Sequence, residues 1–210
     1  MKNKIIIFLL ILISGFVQAQ DAEKLLNEVS SKVKSYDNVV INFKYALHNP
    51  KENVSQETRG DVSLLGEKYF LSLMGTEQLF DGTKLHVIIP EDEEINISSV
   101  ESDNDIFTPS KMLSFFEEGY TSEMDIVQDV NGRKIQYVKL TPIDSNSELK
   151  EVLLGIDKQT KNIYKMISMQ HNGTNITITV NSFKTNQALS DTLFTFDETK
   201  YENYYINRLD

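Results

Sequence analysis

The chain is 210 residues long, with 21 Lys and Arg against 31 Asp and Glu, no Cys, no Trp and a formal charge of −10. That length fits one domain or at most two small ones, and a 40% hydrophobic share supports a packed core without surplus. The acidic balance excludes a general nucleic-acid binder, which needs a cationic face to displace counterions, and the missing Cys excludes disulfides, thiolate zinc sites, thiol nucleophiles and a lipidated N-terminal Cys.

The N-terminus carries Lys2 and Lys4, then an apolar run from Ile5 to Ile13, then Val17-Gln18-Ala19 ahead of Gln20-Asp21. A basic start, a short apolar run and small residues at −3 and −1 read as a secretory signal peptide over residues 1–19, cleaved after Ala19. The stretch from Ile5 to Val17 is too short for a membrane span, which needs about 20 apolar residues. Cleavage removes two lysines and no acids, leaving 19 basic and 31 acidic residues, a charge of −12. A secreted chain without Cys suits the bacterial periplasm, and the Asn-x-Ser/Thr triplets at Asn53, Asn96, Asn172 and Asn175 are read as chance in an Asn-rich chain.

Ala22, Leu25, Leu26, Val29 and Val33 lie on one helical face, which predicts an amphipathic helix over 21–36 with Asp21 as its cap. From Val39 the period becomes two, through Ile41, Phe43, Tyr45 and Leu47, the signature of a half-buried strand. Further strands are predicted over 57–65, 68–74, 76–80, 84–89 and 94–99, then 120–130, 133–141, 149–157, 161–170, 174–184 and a short 193–197. Asn131-Gly132 marks a type I′ hairpin and Asn172-Gly173 a second turn. One helix is predicted to interrupt the strands, with Thr108 as cap, Pro109 in its first position and Gly119 as its stop. The expected architecture is mainly β with helices (α+β), a single domain over 20–210 built on a curved antiparallel sheet.

Motifs for catalysis or metal binding are sparse. His48, His86 and His171 have no second ligand at close spacing, so they read as structural, and no metal or other cofactor is expected. The runs Glu91-Asp92-Glu93-Glu94 and Asp103-Asn104-Asp105 lack the spaced oxygens and glycine of a calcium loop and read as solvated acidic loops. No nucleophile elbow, phosphate loop or dinucleotide fingerprint is present. The apolar excess is concentrated instead in Met112, Phe115 and Phe116, and in Phe70, Leu71, Leu73, Met74, Leu79 and Phe80. Those residues make either an ordinary core or the lining of a cavity for alkyl chains, since both use the same residue types.

Over 22–206 the chain resembles the LolA family of periplasmic outer-membrane lipoprotein carriers. Gly60-Asp61-Val62 followed by Phe70 resembles the family's second-strand segment, and Asp81-Gly82-Thr83-Lys84-Leu85-His86-Val87-Ile88-Ile89-Pro90 is similar to its D-G-K-x-L-W-x-Y-x-P signature. Thr108-Pro109 through Leu113 resembles the central T/S-P-x-x-L-L helix. Tyr137 through Pro142, Leu149 through Val152, and Leu193 through Phe196 resemble the later strand ends and the F-x-F close. Gly66-Glu67 stands where the family carries the Arg-Pro pair that ties its lid to the barrel, and Arg59 is not the matching residue. The family's Trp near His86 is absent, and Glu198-Thr199-Lys200-Tyr201 replaces its Pro-Gly-Val ending.

The resemblance implies an unclosed antiparallel half-barrel covered by a lid of short helices, with no catalysis. It implies an acyl-chain cavity lined from the strands by Phe43, Phe70, Leu73, Phe80, Leu85 and Met169, and from the lid by Met112, Leu113, Phe115 and Phe116. The implied partners are an acylated lipoprotein cargo, an inner-membrane ABC lipoprotein exporter, and an outer-membrane acceptor or the outer membrane itself, with the carrier a monomer. A lipid-binding adaptor or envelope-stress sensor on the same fold is the second reading, and a periplasmic hydrolase the third.

Overall fold

The computed structural model describes residues 20–99 and 108–209. The expected leader with its cleavage site, and the acidic run Asp103-Asn104-Asp105, lie outside the described residues. Helix α1 covers residues 20–34. The strands are β1 (Val39–Asn49), β2 (Val54–Leu65), β3 (Lys68–Leu73), β4 (Thr76–Phe80), β5 (Lys84–Ile89), β6 (Glu94–Ser99), β7 (Tyr120–Val130), β8 (Arg133–Pro142), β9 (Leu149–Asp157), β10 (Ile163–Gln170), β11 (Asn175–Thr185) and β12 (Tyr205–Leu209). Their order is β12-β6-β5-β4-β3-β2-β1-β11-β10-β9-β8-β7, an open, unclosed sheet with β12 and β7 at its two ends. The fold class is the expected one, mainly β with one α-helix and short helical turns among the described residues.

The chain divides into two compact units. The first holds the described residues of Met1–Lys34, Leu47–Ser55 and Phe115–Ile178. Here β8 joins β7 through Asn131 and Gly132, both left-handed (φ 52° and 81°), the expected type I′ turn. Pairing of β7, β8, β9 and β10 places Val138, Leu140, Val152, Leu154, Ile156 and Met166 on one face. The first five are at most 1% exposed. Helix α1 buries Ala22, Leu25, Leu26 and Val29, and Leu25 lies beside Met124 and Gln136 of that face. Gln20 and Asp21 are already helical, so Asp21 lies in the first turn rather than capping it. A Glu28–Lys161 ion pair at 2.9 Å and a hydrogen bond from Lys32 Nζ to the Thr160 carbonyl attach α1 to the β9–β10 turn.

The second unit holds Ser35–Ala46, Gln56–Ser114 and Thr179–Asp210. Its core is a short antiparallel meander, β2 to β6, with β12 added in parallel to β6. On one face Ile88, Ile95 and Ile97 pack under Phe196, Tyr201, Tyr204 and Ile206. His86 on the same face is 4% exposed, stacks on Phe196 at 4.3 Å and lies 3.3 Å through Nδ1 from the Leu79 carbonyl. Phe196 stacks in turn on Tyr201 at 5.5 Å.

Three sequence expectations are corrected. The helix predicted between Thr108 and Gly119 is two single 3-10 turns, Lys111–Leu113 and Phe115–Glu117, broken at Ser114 (φ −137°). The Ser110 hydroxyl turns to the distant Gly66 carbonyl rather than to this turn, and Thr108 accepts the Lys111 N–H through Oγ1 at 3.2 Å, so one short turn forms without extending into a helix. The strand expected over 193–197 is a 3-10 turn, Asp191–Phe194, capped by the Ser190 hydroxyl, followed by a second turn at Glu198–Tyr201 capped by Asp197. Strand β12 was not anticipated, because Tyr205–Leu209 is only five residues long and gains its strand character from distant β6.

Candidate functional site

The strand register sorts the side chains of the second unit into two faces, since directly paired residues point the same way. Opposite the His86–Phe196 core, two transverse rows cross the sheet. One runs Leu64, Tyr69, Phe80, Leu85, Ser98, Leu209, and the next runs Val62, Leu71, Gln78, Val87, Asn96, Asn207. Gly60, Leu73, Thr76, Ile89, Glu94 and Tyr205 make a third row of this face, beyond the second. Burial grades along it. Val62, Leu64 and Tyr69 are buried, whereas Leu71, Leu73, Phe80, Leu85, Val87 and Ile89 are only half-buried. Six large apolar side chains held partly in solvent on one face form a wall that still has apolar area to lose. The rings of Tyr69 and Phe80 meet at 5.7 Å in its middle.

The sequence-predicted lining residues divide. Leu73, Phe80 and Leu85 lie together on this wall. Phe43 joins them: its ring lies over Gly60, where an added Cβ would come within 2.5 Å of Cζ. Phe70 does not, because it pairs with Leu79 and so lies on the opposite face. Tyr69-Phe70-Leu71 is apolar on both faces, so parity could not be read from the sequence.

Met112 is half-buried and Leu113 is 9% exposed in the turn Lys111–Leu113 of the same unit. That turn is attached at Ser110, whose hydroxyl donates to the Gly66 carbonyl at 3.5 Å. The β2–β3 turn, where Gly66-Glu67 replaces the Arg-Pro pair of the resemblance, offers a backbone acceptor.

Phe115, Phe116 and Met169 belong to the first unit. Phe116 is 5% exposed, and Phe115 meets it edge-on at 5.7 Å and Tyr120 edge-on at 5.6 Å. Met169 pairs with Glu151, on the face of β9 and β10 opposite to Leu154 and Met166, so it does not line the helix-covered side.

Sequence reasoning missed Glu117. It accepts hydrogen bonds from the Ser30 hydroxyl and from Lys34 Nζ, the latter at 2.9 Å, fastening turn Phe115–Glu117 to α1 within the first unit. The Lys34 and Ser30 hydrogen bonds hold its carboxyl below the ordinary range, against a smaller opposing effect of burial. Burial pushes the His86 imidazole down, and the Leu79 carbonyl only partly offsets this, so the ring is a neutral core element. Also missed were the amides Gln78, Asn96 and Asn207, whose shared row depends on pairings remote in sequence. A shallow cleft of about 740 Å³ beside α1 is lined by polar and charged residues, among them Glu23, Lys24, Glu28 and Lys161. Among the described residues no group of three or more His, Asp or Glu is placed to hold a metal ion.

These features define a mainly β protein on an open, mostly antiparallel sheet, with an apolar wall and short helical attachments. The family described as outer membrane lipoprotein carrier protein LolA matches residues 34–197, and the chain belongs to that family. Comparison with curated proteins returns no match. Among solved structures, a conserved protein of Thermus thermophilus is similar at 10% identity and a TM-score of 0.55, over 89% of this chain and 98% of that one. LprF from Mycobacterium bovis is similar at 15% identity and a TM-score of 0.49, covering 81% and 95%. A LolA superfamily protein from Nitrosomonas europaea is similar at 15% identity and 0.42, covering 83% and 97%.

Proposed function

We propose that this protein is a periplasmic carrier that binds the acyl chains of lipoproteins and ferries them from an inner-membrane ABC exporter to an outer-membrane acceptor or the outer membrane itself, without catalysis. Family membership over residues 34–197 carries the reading. The half-buried wall of Leu71, Leu73, Phe80 and Leu85 supports it, with Met112 and Leu113 as the nearby cover attached through Ser110. Among the described residues no helix is long and apolar enough to cross a membrane.

Energetics dictate the mode of transfer. Burial of one methylene is worth ~0.8 kcal/mol, so about 15 methylenes amount to ~12 kcal/mol. Release into water would be slowed by roughly nine orders of magnitude at 1.4 kcal/mol per tenfold. A carrier must therefore keep the chain covered and hand it directly to a more apolar acceptor. Purification from the periplasm followed by mass spectrometry of the extracted ligand is the test: acylated polypeptide is expected, and its absence overturns the reading.

A further inference from the structure

We infer that the wall selects acyl ligands whose polar end is uncharged, an ester- or amide-linked head, over free fatty acids and phospholipids. The inference rests on the proposed acyl-carrier function and names the chemical class of ligand at that site. Its ground is the makeup of the wall's far side. The eighteen positions that the register assigns to this face of β2 to β6 and β12 include no Lys or Arg, and Glu94 is their one charge. The lysines and arginine of these strands lie elsewhere: Lys68, Lys84 and Arg208 are on the opposite face, where Arg208 pairs with Glu198 at 2.8 Å, and Arg59, one residue before Gly60, has the parity of that face too. A phosphate or carboxylate laid on the wall would lose its hydration without gaining a cation from these strands, and would meet Glu94.

Neutral polar groups are provided for. Gln78, Asn96 and Asn207 share one row with Leu71 and Val87, where the apolar surface gives way to amides. Asn207 Nδ2 donates to Asn96 Oδ1 at 3.0 Å, and Asn96 Nδ2 donates to Glu94 Oε1 at 2.7 Å. Each of these primary amides has a second N–H, and Gln78 has no side-chain hydrogen bond among the described residues. With strands about 4.8 Å apart, Gln78 and Asn96 are separated by about 10 Å across Val87. Carbonyl oxygens of an ester or amide head lying along this row would meet N–H donors while their alkyl chains lie on Leu71, Leu73, Phe80 and Leu85.

The test is displacement of a fluorescent palmitoyl-amide probe from the delipidated, exported protein at pH 7.5. The competitors are a neutral N-acetyl dipalmitoylglyceryl-cysteine amide, palmitate and dipalmitoylphosphatidylglycerol. The neutral competitor is expected to act at concentrations at least tenfold below either anion. Gln78→Leu combined with Asn207→Leu is expected to shrink that preference below threefold with the melting temperature retained, and Gln78→Lys to improve phosphatidylglycerol binding at least tenfold. Equal binding of all three competitors, preference for an anion, or a preference untouched by the folded variants overturns the inference while the carrier function stands. Failure of every acyl compound to bind overturns both.

Discussion

Gly60 is occupied, in effect, by its neighbour: the Phe43 ring fills the space its side chain would take, and the Ser72 carbonyl lies 3.0 Å from the same point. Gly60→Ala is therefore expected to cost about 1–3 kcal/mol by overpacking, read as a lower urea midpoint, and to tilt Phe43 away from the wall. His86 offers a pH test at the same scale. Its folded imidazole takes a proton less readily than an unfolded one, so its stabilising effect is full above the ordinary imidazole range near 6.5 and declines as pH falls and the unfolded chain binds the extra proton. Denaturation at pH 7.5 and 5.5 should show lower stability at the acid value, and His86→Phe, which keeps a ring against Phe196, should flatten the difference. Some residue-level features were legible from the chain and others were not. Asn131-Gly132 announces its turn because both residues tolerate the left-handed region, whereas Met74 adopts φ 55° beside Gly75 with no such propensity to signal it.

At the scale of elements, the contact between α1 and turn Phe115–Glu117 is the one most open to experiment. Glu117 is held by Ser30 and by Lys34, whose side chain is 63% exposed, so the ion pair itself is worth only ~0.5–1 kcal/mol. Glu117→Gln should accordingly leave the global melt nearly unchanged while raising amide exchange over 115–120. Because Glu117 titrates below the ordinary carboxylate range, the stabilisation it contributes is present at neutral pH and lost as pH falls through its folded value. Strand existence was largely readable from alternation and turn residues, as β4, β5 and β6 show by matching their expected bounds. The central helix was not, because the apolar spacing of Met112, Phe115 and Phe116 suits a helix while Ser110 and Ser114 favour breaks, and only the packed chain decides between them. Phe116, expected as lid, is 5% exposed beside Phe115 in the first unit and behaves as core.

For the whole molecule, fold class and family were legible because several weak strand and turn patterns occur in one order, and the family match over 34–197 agrees with them. The site was legible only in part, because which side of a strand a residue occupies depends on register. A shift of one residue exchanges the faces, and register is set by partners far along the chain, as Asn96 and Asn207 illustrate. The claim that acyl chains lie on the face carrying Leu71, Leu73, Leu85 and Val87 is accordingly tested most directly by a palmitoyl ligand with a spin label on its chain. Methyl spectra of the complex should show stronger broadening of those four residues than of Ile88, Ile95 and Ile97 of the opposite face. Broadening that is stronger at Ile88, Ile95 and Ile97, or absent from both faces, would contradict the account.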